Sequence, residues 1–253
     1  MIHLKNKKDI VILQEGGKRL AKVMKILRKE AKPGVSAAFL DELAYTMIKK
    51  YGGRPSFLNY QPDFSNRPFP NSLCVSLNDI IVHGIPRKEI ILKPGDLVSL
   101  DIGMEYKGLF TDMAITVGLE GVKPEEKKLI EVTRKALDLA IKTARPGKTL
   151  GDIGYAIESY AKKNGLVVIR DLVGHGVGYA VHEDPPVFNY GEKGKGMRLE
   201  AGLVIAIEPM VTFGNGSIKE MSDGSFVTLN EKKACHFEHT IAILTNKTII
   251  ITR

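Results

Sequence analysis

The sequence predicts an α+β fold in which one helix–helix–β-hairpin unit is used twice, the two copies related by a pseudo-two-fold axis around antiparallel strands. Three observations predict it. A pair of helical patterns recurs 113 positions apart (149 − 36), a strand pattern recurs 107 apart (202 − 95), and both copies of that strand end on an acidic residue. A chain of 253 residues that is 43% hydrophobic and 26% charged has the composition of a globular protein with a substantial core. The expected organisation is a single catalytic domain, 1–253, with pseudo-symmetric halves of about 1–120 and 121–253.

The first helix is expected from about Lys8 to Ala31, where Leu20, Val23, Met24 and Leu27 share one face at helical spacing. A second opens after Lys32-Pro33-Gly34-Val35-Ser36 and closes at Lys49-Lys50-Tyr51-Gly52. Ser36 can accept from the free amides of the first turn, and Gly52 sits where a left-handed cap is cheapest. The strand Leu97 to Asp101 follows Lys93-Pro94-Gly95-Asp96, and a second strand carries Phe110-Thr111-Asp112-Met113-Ala114-Ile115. The series then repeats. Pro124 to Ala144 places Ile130, Ala136, Leu137 and Ile141 on one face. Thr149 takes the place of Ser36, and Gly165 that of Gly52. Glu200-Ala201-Gly202-Leu203 leads a strand to Glu208, and His236-Phe237-Glu238-His239-Thr240-Ile241 matches the strand of Asp112.

Charge and cysteine content bound the function. Net charge is +8 and the isoelectric point near 9.3, with basic residues spread along the chain. That balance suits lysine-rich solvated faces, and also a surface tolerant of polyanions such as ribosomal RNA. Two cysteines, Cys74 and Cys235, make no disulfide framework and follow no zinc spacing. Apolar runs such as Leu203 to Ile207 fall far short of the ~20 residues of a membrane span, and the N-terminal stretch lacks a signal-peptide core. A cytoplasmic protein without a membrane partner is expected.

The chemistry gathers on four carboxylates. If the chain folds back near Tyr106 and Lys107, Asp101 and Asp112 stand directly opposite each other, their numbers adding to 213. Directly opposed side chains share a face with Cβ atoms ~5 Å apart, where two like charges need a proton or a cation between them. By the repeat, Glu208 and Glu238 hold the same places in the second half, so the axis brings four carboxylates together among β-branched neighbours. Ionised carboxylates in an apolar setting are too costly to stand unpaired. His175 sits among three glycines in Gly174-His175-Gly176-Val177-Gly178. His182 follows in His182-Glu183-Asp184-Pro185, and His83 lies in Val82-His83-Gly84-Ile85-Pro86. His3, His236 and His239 read as surface or hydrogen-bonded core residues. An oxygen-rich set with one imidazole favours Mn²⁺, Fe²⁺, Co²⁺ or Zn²⁺, and two ions ~3.5–4 Å apart form the arrangement used for hydrolysis. No phosphate-binding Gly-rich loop and no Gly-x-Ser-x-Gly elbow is present.

The ordered set Asp101, Asp112, His175, Glu208 and Glu238, with the local contexts above and Ile207-Glu208-Pro209-Met210, resembles the methionine aminopeptidases of peptidase family M24 over essentially the whole chain. The 30-residue interval from Glu208 to Glu238 (238 − 208) lacks the long insertion of the type 2 enzymes, and nothing like a zinc finger precedes the first half, so the short bacterial type 1 form is the nearest. The resemblance implies a pita-bread fold, with the duplicated halves around a curved antiparallel sheet. It implies two divalent metal ions (Co, Mn, Fe or Zn) on Asp101, Asp112, His175, Glu208 and Glu238, Asp112 and Glu238 bridging. A metal-bridging hydroxide would then attack the first peptide bond, Glu208 shuttling the proton, His182 holding the carbonyl and His83 steadying the intermediate. Cys74, Phe69 and Phe226 would line the methionine pocket. Phe226 is included because Ser225 and Phe226 follow Asp223-Gly224 where the family often has tryptophan. The implied substrate is the initiator methionine of a nascent chain with a small second residue. That suggests ribosome association by a monomer, with no DNA partner. Prolidases and Xaa-Pro aminopeptidases share the ligands but usually carry a further N-terminal domain. Binding modules of the same fold have typically lost ligands that are all present here.

Overall fold

A computed structural model describes residues 2–61 and 67–253. Four helices form where the apolar spacing predicts them: α1 Lys7–Glu30, α2 Ala37–Lys50, α3 Pro124–Thr143 and α4 Leu150–Lys163. Their ends follow local chemistry. Asn6 accepts from the amides of Lys8 and Asp9, while Asp9 accepts from the Asn6 amide, closing a capping box. Ser36 accepts from Phe39, and Thr149 from Asp152. Helices α2 and α4 have equal length, and both of their ends differ by 113 (150 − 37 and 163 − 50). Gly52 and Gly165, two residues past each, adopt φ of 77° and 75°, left-handed values that a Cβ would strain.

The first hairpin pairs Leu97–Tyr106 with Leu109–Gly118, ten residues on each side. Its register corrects one expectation. Asp112 stands opposite Gly103, and Asp101 opposite Ala114, so partner numbers add to 215 and not to 213. The turn is Lys107-Gly108, with φ of 52° and 81°, a two-residue connection whose twist suits a hairpin. Glycine takes the second left-handed position, which centres the turn one residue later than Tyr106-Lys107 would. Asp101 and Asp112 therefore lie diagonally, offset by two. They still share a face, because an offset of two preserves the alternation of the strand.

In the second half, Val204–Ile207 pairs with His239–Ile243 and Met210–Thr212 with Ala234–His236. Partner numbers add to 446 in both segments, so one register runs through the interruption at Pro209, and in it Glu208 stands opposite Glu238. All strand pairings among the described residues are antiparallel, and their ladders form four sheets. Threonine hydroxyls join the halves. Thr240 Oγ1 accepts from the Asp112 amide at 2.9 Å and donates to its carbonyl at 2.8 Å. Thr116 Oγ1 does the same for His236, at 2.9 and 2.8 Å. Between them the Glu238 amide donates to the Ala114 carbonyl at 2.8 Å.

Each helix pair covers the back of its own hairpin. Leu20, Val23, Leu27, Leu40 and Ile48 pack on Leu73, Val98, Leu100 and Ile102. Leu129, Leu137, Ile153 and Ile157 pack on Leu203, Ile205, Val211 and Ile241, and Ile115 touches both clusters. Burying each such side chain contributes about 1.5–3 kcal/mol. Apolar faces are thereby consumed at the back, and the polar residues of the strands gather at the front. Among the described residues no helix is long and apolar enough to cross a membrane.

Candidate metal centre

The centre is made where the two hairpins meet. The strand Gly174–Gly176 brings His175 to the carboxylates, pairing at Gly176 with Ile205 and Glu183. A Cβ on Gly174 would lie 2.4 Å from the Ala206 carbonyl oxygen, and one on Gly176 2.2 Å from that of Asp184. Only glycine on both sides lets backbone approach this closely. The His175 Nδ1 lies 2.8 Å from the Gly176 carbonyl oxygen, which can only accept. The proton is therefore on Nδ1, and Nε2 presents a lone pair to the carboxylates.

One ligand atom each of Asp112, His175 and Glu238 lies within 4.8 Å of the others. Glu208 Oε1 is 3.5 Å from His175 Nε2. Two ligands of one tetrahedral ion stand about 3.4 Å apart when their bonds are ~2.1 Å, so this pair fits a shared ion. Among the described residues Asp101 Oδ1, Asp112 Oδ1 and Glu238 Oε1 have no hydrogen-bond partner, and all three are shielded from solvent. Orphaned buried acceptors cost about 1–3 kcal/mol each, more when charged. Burial, and then the neighbouring carboxylates, hold Asp112 and Glu238 well above the ordinary carboxylate range. Burial pushes Asp101 up to about 6. A hard oxygen-rich set with one imidazole and three unpartnered oxygens fits divalent cations.

The other predicted residues surround this cluster. The His182 ring is perpendicular to that of His175 with centroids 4.4 Å apart, and its Nδ1 lies 2.8 Å from Tyr60 Oη. Burial, reinforced by His175 and His83, pushes His182 down to about 2, so the ring is neutral. His83 adopts a left-handed φ of 59°, and burial lowers its pKa as well. Cys74 stands opposite Asp101 in the strand ladder and packs with Phe57 and Val181, against which Tyr60, Phe69 and Phe110 also rest. Cys74 and Phe69 are thus brought together, and Phe226 is not. Its ring meets His83 at 5.7 Å, in a separate cluster with Ile81, Val82 and Met210.

Several residues at the centre escaped the sequence reading. His236 is 1% exposed, with Nε2 3.2 Å from Glu208 Oε2, so it is neither a surface residue nor a hydrogen-bonded core histidine. A signal was present, since His236 precedes Glu238 by two and so shares its face of an extended strand. Asn189 donates to the Glu208 carbonyl at 3.0 Å. Tyr60 and Lys5 carried no signal, because their partners are remote in sequence.

Lys5 clamps the loop that carries His182. Its ammonium pairs with Glu183, both side chains almost fully buried, and Glu183 also accepts from the amides of Tyr179 and Ala180. Breaking one side of a buried pair leaves the other charge uncompensated, at about 3–5 kcal/mol. Lys5→Ala is expected to lower stability by that amount in chemical denaturation and to reduce turnover, because the His182 loop loses its anchor. An unchanged midpoint would show that Glu183 is neutralised some other way.

The chain matches metallopeptidase family M24 over residues 12–245. It is 42% identical to methionine aminopeptidase 1 of Bacillus subtilis, over all of both chains. A crystal structure of methionine aminopeptidase from Thermotoga maritima superposes with a TM-score of 0.95 at 39% identity, again over all of both chains. Prolidase from Pyrococcus furiosus, at 21% identity and a TM-score of 0.77 over 99% of this chain and 65% of that one, shares the fold alone. With this pita-bread architecture and these full-length relatives, the chain belongs to metallopeptidase family M24, among its methionine aminopeptidases.

Proposed function

We propose that the protein, one catalytic unit over 1–253 with halves 1–120 and 121–253, removes the initiator methionine from nascent chains whose second residue is small. The observation that carries this reading is the placement of three carboxylate oxygens, unpartnered among the described residues, beside an apolar cluster containing a thiol and four aromatic rings. Asp101, Asp112, His175, Glu208 and Glu238 would hold two divalent ions, of Co, Mn, Fe or Zn. Such ions, when bound, supply Lewis acidity toward the scissile carbonyl and a water of lowered pKa.

The chain's own residues do the rest. Glu208 accepts a proton at its carboxylate and returns it to the leaving amine. The Tyr60 hydroxyl lies 2.8 Å from His182 Nδ1; with the hydroxyl as donor there, His182 would present Nε2–H to the carbonyl oxygen as negative charge develops. His83, supported at its ring edge by Phe226, faces the same bond. Asp101 would hold the ion that the free N-terminal amine approaches, which would confine cleavage to the first residue. Cys74, Phe57, Phe69 and Val181 receive the methionine side chain, soft partners for a thioether. The basic surface suits ribosomal RNA, and the protein would work as a cytoplasmic monomer.

The test is release of free methionine from Met-Ala-Ser by metal-stripped protein, with each of the four metals restored separately. Leu-Ala-Ser and Met-Pro-Ser serve as comparisons. Metal-dependent release of Met, with little of Leu, is expected. Cleavage confined to Xaa-Pro bonds would replace this reading with a prolidase, and no cleavage with any metal would end it.

A further inference from the structure

One buried imidazole lies at the centre with no part in the reaction above. Neither ring nitrogen of His236 makes a hydrogen bond of good geometry among the described residues, yet Nε2 lies 3.2 Å from Glu208 Oε2. The other oxygen, Oε1, is 3.5 Å from His175 Nε2. The Glu208 carboxylate therefore sits between two imidazoles, one at each oxygen. Those imidazoles differ. His175 carries a proton on Nδ1, so a lone pair faces Oε1 in the neutral ring, and the two atoms come together over a proton or, in the metal-centre reading, over the cation. That makes Oε1 the oxygen on the ion's side. Nδ1 of His236 has no hydrogen-bond partner among the described residues, which favours the tautomer with its proton on Nε2, facing Oε2.

Both backbones are pinned. Thr116 holds the amide and the carbonyl of His236, and Asn189 holds the carbonyl of Glu208. Only side-chain torsions remain free, and a carboxylate with no partner on one oxygen could offer either oxygen to the ion. We propose that His236 is a positioning residue. Its Nε2–H donates to Glu208 Oε2 and keeps Oε1 turned toward the ion shared with His175. This rests on the metal-centre reading and adds to it a residue outside the ligand set. The contact lies off the N–H line without metal and tightens once Oε1 is engaged, as catalytic hydrogen bonds commonly do between free and loaded states.

The experiment is calorimetric titration of metal-stripped full-length protein with Co²⁺, together with the visible absorption of the cobalt form. Wild type is compared with His236→Leu and His236→Gln. Leucine fills similar space without a donor, and glutamine restores an N–H of similar reach. His236→Leu is expected to weaken one Co²⁺-binding event about 10–100-fold, the usual effect of losing a partner behind a metal ligand, and to alter the cobalt spectrum. Its kcat should fall more than its KM rises. His236→Gln should recover affinity and spectrum. Wild-type affinity in His236→Leu overturns the proposal. So does a His236→Gln that binds no better than His236→Leu, which would make the imidazole itself a ligand. Should His236→Leu not fold, His236→Met provides the same comparison. Wild-type protein that binds no Co²⁺ would refute the metal centre as a whole, which is a separable outcome.

Discussion

Asp112→Asn is expected to abolish metal-dependent methionine release and, in the metal-free protein, to raise the melting temperature. Asp112 is buried, its Oδ1 has no partner, and its carboxylate faces Asp101, Glu208 and Glu238. In the metal-free state this is a cluster of desolvated like charges, tolerable only if protons are taken up. An amide of the same size removes one of those charges and adds an N–H₂ donor that neighbouring carboxylates can use. The backbone bonds of Asp112 to the Thr240 hydroxyl are untouched by the change. Activity moves the other way, since an amide oxygen cannot bridge two cations as a carboxylate does. A loss of at least about 10³-fold follows from forfeiting several kcal/mol of Lewis-acid stabilisation. Methionine release and calorimetry in the presence of a chelator read the two effects. A variant that keeps its activity, or that melts lower than wild type without metal, contradicts this account of the cluster.

The same cluster sets a pH dependence. Burial and mutual repulsion raise Asp101 to about 6, and Asp112 and Glu238 well above the ordinary carboxylate range. A raised carboxylate contributes stability that is fully present below its unfolded value, near 4, and is lost as pH rises through the folded value. His236, also raised, by Glu208 and Asp101 against its burial, acts in the same direction. His182 and His239 oppose them. Burial depresses these to about 2 and about 4, so their penalty is felt below the unfolded histidine value, about 6.5, and is gone above it. Above pH 6.5 that penalty has gone, and what remains is the raised pair Asp112 and Glu238, with His236 beside them. The melting temperature of chelator-treated protein is therefore expected to fall between pH 6.5 and 8.5.

Saturating Mn²⁺ should remove that slope, because cations take the place of the protons. Stabilisation by a bound ion follows its concentration over Kd, about 2.7 kcal/mol at a hundredfold excess. The metal-induced shift should accordingly be larger at pH 8 than at pH 6, with protons released on binding. Equal shifts at both values would mean that the carboxylates are ionised without metal.

The sequence by itself determined whatever local chemistry decides. Helix ends follow from Ser36, Thr149, Gly52 and Gly165, because a cap is a contact within a few residues. The internal repeat follows because both helix pairs use the same spacing. The ligand candidates were legible because a carboxylate inside a β-branched strand needs a partner whichever way the chain folds. Tertiary structure decided the remainder. Hairpin register turned on the left-handed pair Lys107-Gly108, which set Asp101 and Asp112 on a diagonal. Phe226 went to His83 because its strand pairs with Ile80–Val82 and not with that of Cys74. Lys5 met Glu183, Tyr60 met His182 and His236 met Glu208 across intervals that no local pattern spans. Such contacts close long loops, whose entropy cost is repaid only by the core as a whole and not by any local pattern, and Thr116 and Thr240 bond across the same seam between the halves.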